Sequence, residues 1–151
     1  MIVFDQDLDK AIASFIIATG AAAMGKPVTM FFTFWGLNVL RKDDIHVGDK
    51  DFMDKMFGKM MPKGTKKLPI SNMNMGGMGA KMIRQVMENK NVDSLETLMK
   101  NAMEMGVNIV ACAMSMDVMG IREEELIEGV EIGGVASYLG KAEDSNINLF
   151  I

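Results

Sequence analysis

Two short runs limit the folds open to this chain: Val28 to Phe34 and Val107 to Val110. Neither shows the apolar/polar alternation of a strand with one wet face. The first is apolar on both faces, as a parallel strand covered on both sides must be. Around them, apolar residues recur at helical spacing. Met1 to Phe4 reads as a first strand and Asp5–Asp7 as its turn, after which Leu8, Ala11, Ile12, Phe15, Thr19, Ala22 and Ala23 predict a helix ending near Gly25. Trp35 to Asn38 turns into a short helix reaching Arg41. Leu95, Leu98, Met99 and Ala102 form the inner stripe of a later helix, with Asp93 as its N-cap, Glu96 completing a capping box and Gly106 ending it. Val130 to Ile132 reads as a fourth strand, Gly133-Gly134 opens a helix to about Lys141, and Asn148 to Ile151 adds a closing strand. This alternation predicts an α/β fold in a single domain, 1–151. Its form is an open, mainly parallel sheet of about five strands with helices on both faces, a flavodoxin-like three-layer α/β/α arrangement.

A helical, Met-rich insertion at about 43–91 interrupts the pattern, and methionine totals 18 residues in the chain. Phe52, Met53, Met56, Phe57, Met60 and Met61 make an apolar stripe, and Pro62 ends that helix. The stripe reads as an interface or pocket cover; Lys55, Lys59 and the basic loop Lys63–Lys67 leave a membrane-surface helix as the lesser reading. Asn72 to Gly79 leads into a helix whose expected buried face is Met82, Ile83, Val86 and Met87. The run Gly76-Gly77-Met78-Gly79 lacks both the G-x-x-x-x-G-K-[ST] pattern and a preceding strand, so a hinge or close helix packing fits better than a phosphate loop.

Composition narrows the function classes. A formal net charge of -4 argues against nucleic acid as a partner, because neutralising phosphates needs a basic surface. No apolar run is long enough to span a bilayer, no signal-peptide pattern opens the chain, and peripheral membrane contact is not expected. One cysteine cannot form an internal disulfide, and no metal-ligand cluster or cofactor motif is present, so the expectation is no metal, no cofactor and a cytoplasmic setting.

That cysteine, Cys112, sits where the second buried run turns into a helix, with Ser115 at the expected N-cap. Unpaired backbone N–H groups converge at such a turn and favour negative charge, which makes Cys112 a candidate nucleophile. Packing as a small hydrophobe is the competing reading. Ligands of open α/β sheets gather at the carboxyl ends of the strands, which selects Asp5–Asp7, Trp35–Asn38, Cys112–Met116 and Gly133–Gly134. His46 reads better as a lone exposed residue than as a general base, since it lies in a polar loop far along the chain from Cys112.

Three segments resemble one family. Ala111-Cys112-Ala113-Met114-Ser115-Met116 with Met119-Gly120-Ile121 looks like the cysteine segment of DsrE/DsrF-like proteins. Thr33 to Asn38 and Met73 to Gly79 are similar to stretches of a subgroup linked to sulfur metabolism and sometimes fused to disulfide-reductase-type flavoproteins. The resemblance covers nearly the whole chain. It implies a parallel sheet flanked by helices, a homo-oligomer, and sulfane sulfur carried on Cys112 as a persulfide or thiosulfonate. It also implies exchange with a TusA-like sulfur carrier or with such a flavoprotein. Some relatives hold a second cysteine near the first; this sequence has none, so an external donor suits it better than an internal resolving thiol.

The expected function is therefore that of a sulfur-relay protein, a sulfur carrier or sulfurtransferase, with Cys112 as the reactive residue. Trp35, Gly36, Asn38, Met114, Ser115, Met116, Asn74, Gly76 and Gly77 are the candidate binding residues. The rival from another class is a non-catalytic oligomeric module whose Met-rich and Gly-rich segments bind an apolar ligand or partner protein. A nucleotide or flavin at the strand ends is a third reading.

Overall fold

The computed structural model describes residues 1–43, 56, 58 and 60–151. His46, Phe52, Met53 and Phe57 lie outside the described residues.

Strands β1 (Ile2–Val3), β2 (Thr29–Phe32), β3 (Asn108–Cys112) and β4 (Glu131–Gly133) form a sheet in that order. Every neighbouring pair is parallel. Among the described residues, five α-helices accompany them: α1 (Leu8–Ala23), α2 (Met78–Asn89), α3 (Leu95–Glu104), α4 (Ala113–Met119) and α5 (Val135–Glu143). The α/β fold is the expected one, with four strands rather than five. The expected closing strand appears as a single parallel bridge, Ile2 to Phe150. The Ile2 N–H donates to Leu149 at 2.8 Å and the Ile151 N–H donates to Ile2 at 3.0 Å. The Phe4 N–H also donates to Ile151, at 2.6 Å.

Parity along the strands divides the core. Val3, Met30, Phe32, Ile109 and Ala111 face α1 and α3, which contribute Leu8, Ala11, Phe15, Leu95, Leu98, Met99 and Ala102. Phe15 stacks on Phe32 with ring centroids 6.0 Å apart. Truncating such a fully buried ring costs about 3–5 kcal/mol. Ile2, Phe31, Val110 and Cys112 point to the opposite face, where α5 brings Tyr138 and Ala142. Tyr138 stacks on Phe31 at 5.1 Å.

Two helices differ from expectation. Ser94, not Asp93, caps α3, and its hydroxyl accepts the Thr97 N–H at 3.2 Å. Glu96 is not in a capping box; its carboxylate accepts the Thr65 hydroxyl and so ties the insertion to α3. The expected buried face of α2 is turned outward as well. Met82, Ile83 and Val86 are exposed, while Gly79 and Ala80 are buried, Gly79 closely against Met73 and Ile70 of the preceding turn. Two small residues let the backbone approach, and the larger apolar ones are left on the far side. Of the described part of the stripe at 52–61, Met61 joins the core whereas Met56 and Met60 are exposed.

Candidate functional site

β3 delivers Cys112 to the carboxyl edge of the sheet, where the chain turns directly into α4. Cys112 is itself the N-cap residue, with extended φ −71° and ψ 113°, so the helix begins before the expected cap at Ser115. Ser115 is instead the third helical residue and is fully buried. No hydrogen bond from the Cys112 side chain closes the cap, yet the N–H groups of Met114 and Ser115 lie near enough to favour its anion.

The neighbouring strand supplies another donor. Phe32 lies opposite Ala111, and this register sets Thr33 beside Cys112 on the same face. Thr33 Oγ1 and Ser115 Oγ are 2.7 Å apart. Burial pushes the Cys112 thiol up, but the Ser115 hydroxyl and N–H, the Thr33 hydroxyl and the Met114 N–H together outweigh it. The thiol therefore sits below its ordinary value. With seven residues, α4 has little macrodipole to add, so local donors produce the effect. Each hydroxyl has one proton to give. When Ser115 donates to sulfur it can accept from Thr33, which makes a short chain of donors ending on Cys112.

The thiol does not stand open at the mouth of the sheet: Cys112 is only 3% exposed. It shares the parity of Val110, so it points under α5, into the cluster with Phe31 and Tyr138. The polar nest is present; the open mouth is not. Met114, just beyond, is 58% exposed, while Met116 turns into the main core.

The other expected residues separate into four groups. Trp35 is partly exposed and, with Asp5, Gln6 and Asp7, lines a hollow of about 210 Å³ at the end of β1. Gly36 and Asn38 are buried and structural. A Cβ on Gly36 would collide with the Val3 carbonyl oxygen, so glycine permits the close approach of this turn to β1. Asn38 donates to Gln6 Oε1 at 2.8 Å and accepts from Arg41 at 3.2 Å. Asn74, Gly76 and Gly77 belong to a tight turn before α2. There the Asn74 carbonyl accepts the N–H groups of Gly77 and Gly79 at 2.8 and 3.1 Å. Gly133 stands opposite Cys112 in register, and Gly134 caps α5.

Thr33 is the contributor missing from the expected binding residues. In sequence it lies inside the buried run Val28–Phe34, and only strand order shows that this strand neighbours β3. A separate cavity of about 320 Å³ lies at the amino ends of β1 and β2, against Met1, Val28, Thr29 and Tyr138. It is at the other end of the sheet from Cys112 and is not the thiol's pocket. Among the described residues, no group of three or more His, Cys, Asp or Glu is placed to hold a metal ion, and no helix is long and apolar enough to cross a membrane.

Known proteins match this chain along its length. The model of the DsrE/DsrF/DrsH-like family matches residues 1–150. The chain is 50% identical over 151 residues to the uncharacterized protein YrkE of Bacillus subtilis (strain 168), covering 100% of this chain and 94% of that protein. It is 36% identical over 152 residues to the sulfur carrier protein DsrE2 of Allochromatium vinosum, covering 95% of this chain and 91% of that protein.

Proposed function

Because this chain belongs to the DsrE/DsrF/DrsH-like family, we propose that it is a sulfur-relay protein whose Cys112 carries sulfane sulfur and passes it to a partner carrier. One observation carries the reading. The lone thiol is surrounded by the Ser115 and Thr33 hydroxyls and the Met114 and Ser115 amides, all of which favour its thiolate. The thiolate is the nucleophilic form. The likeness to a protein named as a sulfur carrier supports the choice of cargo.

The exchange balances without an outside oxidant. The Cys112 thiolate attacks the outer sulfur of a donor persulfide, a new S–S bond forms, the donor's S–S bond breaks, and the donor leaves as thiolate. Cys112 then holds the persulfide, whose anion the same hydroxyls and amides stabilise. In the second step an acceptor thiolate attacks that outer sulfur, and Cys112 returns to its starting form. A thiosulfonate arises by the same displacement when the donor sulfur carries a sulfonate. A single cysteine suffices, because donor and acceptor both bring their own thiols. The acceptor is a TusA-like carrier or a disulfide-reductase-type flavoprotein, in the cytoplasm, and the working unit is a homo-oligomer.

The test is mass spectrometry of the intact protein after polysulfide or tetrathionate. A sulfur adduct on Cys112, absent from Cys112→Ser, is the expected result. A protein that stays unmodified, and whose Cys112 also ignores iodoacetamide, would falsify the proposal.

The 3% exposure of Cys112 favours a second reading, a binding module in which the thiol only packs. In that case Cys112→Ser retains every interaction, and the exposed methionines around α2 make the contacts.

A further inference from the structure

We propose that Met73, Met75, Met78 and Met82 form a thioether site for a soft monovalent cation, Cu(I), with Ag(I) as its non-redox stand-in. The site lies in the turn before α2 and the first turn of that helix, and it is independent of Cys112.

Three observations converge on it. First, the four side chains are 76%, 56%, 59% and 57% exposed, although each is apolar. Second, the chain folds back on itself, so the backbone positions that carry them lie close together. The Asn74 carbonyl takes both the Gly77 and Gly79 N–H groups, and a Cβ on Gly79 would collide with the Met73 carbonyl. Met73 is thus laid against the first turn of α2. Met75 lies just before Met78, and Met78 and Met82 are one helical turn apart. Third, Met73 and Met75 hold left-handed backbone at φ +58° and +42°. Glycine or asparagine would take those angles at less cost, so the conformation argues for the side chains themselves.

The chemistry selects the ligand. A thioether is neutral, polarizable and soft, and it suits Cu(I) rather than Mg²⁺, Ca²⁺ or Mn²⁺, which prefer oxygen donors. The long unbranched methionine side chain can bend from four different starting points toward one ion. Thioethers do not protonate in the range where thiolate, imidazole and carboxylate ligands titrate. A thioether site therefore holds its cation with no proton released, whereas a thiolate site weakens as pH falls.

The experiment uses the full chain with Cys112→Ser, so that the strongest soft ligand is gone and the outcome does not depend on sulfur relay. Cu(I) is added anaerobically against a chromogenic chelator, and methionine ε-methyl signals are followed by NMR. The expected result is uptake of about one equivalent, unchanged between about pH 5 and pH 8, with shifts at Met73, Met75, Met78 and Met82. Changing all four to Leu conserves volume and should abolish uptake. Met82→Leu alone, a mild change on an exposed helix face, should weaken it. The proposal is overturned if Cys112→Ser protein ignores both Cu(I) and Ag(I), or if the leucine variants bind as before. It is also overturned if those variants alter subunit association while Cu(I) shifts no methyl signal, which makes the face a protein-docking surface.

Discussion

Thr33 Oγ1 and Ser115 Oγ meet at 2.7 Å across the carboxyl ends of β2 and β3, joining residues 82 apart in the chain beside the only thiol. Parallel pairing of two buried strands makes this contact, and it gives Cys112 a second hydroxyl partner, Thr33, from outside its own segment.

Removing that partner has a defined sign. Both hydroxyls pull the Cys112 thiol down, so Thr33→Val or Ser115→Ala should move it up and leave less thiolate at neutral pH. Iodoacetamide alkylation rates measured against pH should show a midpoint displaced to higher pH in both variants, with Thr33→Ser restoring the original profile. An unchanged profile in Thr33→Val would exclude the hydroxyl chain as the cause.

Arg41 and Glu125 form a fully buried ion pair at 2.6 Å, on segments that also exchange backbone hydrogen bonds, Lys42 N–H to Glu125 and Ile127 N–H to Leu40. Losing one partner strands the other charge in the core and should cost about 3–5 kcal/mol. Arg41→Leu should therefore lower the urea midpoint sharply. Arg41→Leu combined with Glu125→Leu should recover much of the loss, because Arg41 Nε is buried with no hydrogen-bond partner among the described residues and the leucines carry no charge to desolvate.

The insertion is clipped to the body by carboxylates. Asp9 accepts the Ser71 N–H at 2.9 Å and the Ser71 hydroxyl, and Glu96 accepts the Thr65 hydroxyl. Desolvation opposes ionisation at both, but these hydrogen bonds prevail and both carboxyls lie below their ordinary values. A depressed carboxyl stabilises the fold above its unfolded pKa, and that contribution is lost as pH falls through the folded one. Hydrogen-exchange protection at Thr65 to Ser71, corrected for the intrinsic rate at each pH, should fall on acidification before that of the α1 core. In Asp9→Asn with Glu96→Gln, the same segment should exchange faster at neutral pH, with little further change in acid.

Gly36→Ala tests the close approach of the turn after β2 to β1. The added Cβ meets the Val3 carbonyl, which is backbone and cannot swing aside. Overpacking of this kind costs about 1–3 kcal/mol, so the thermal midpoint should fall visibly. An unchanged midpoint would mean that β1 shifts freely.

Much of this molecule was legible in its residues because burial on two faces leaves a local record. The unalternating runs at Val28–Phe34 and Val107–Val110 contain β2 and β3, and the stripes at Leu8–Ala23 and Leu95–Ala102 mark the helices that cover them. The position of Cys112 at the junction of β3 and α4 follows from the same local pattern. Three matters depended on the assembled chain: that Thr33 reaches Ser115, that Cys112 lies under α5 and not in the open, and that α2 turns its methionines outward. Periodicity states which residues share a face, since that is a property of one helix or strand. What the face meets is settled by strand order, register and the closeness that Gly79 and Ala80 allow, and those are relations between segments far apart in the chain.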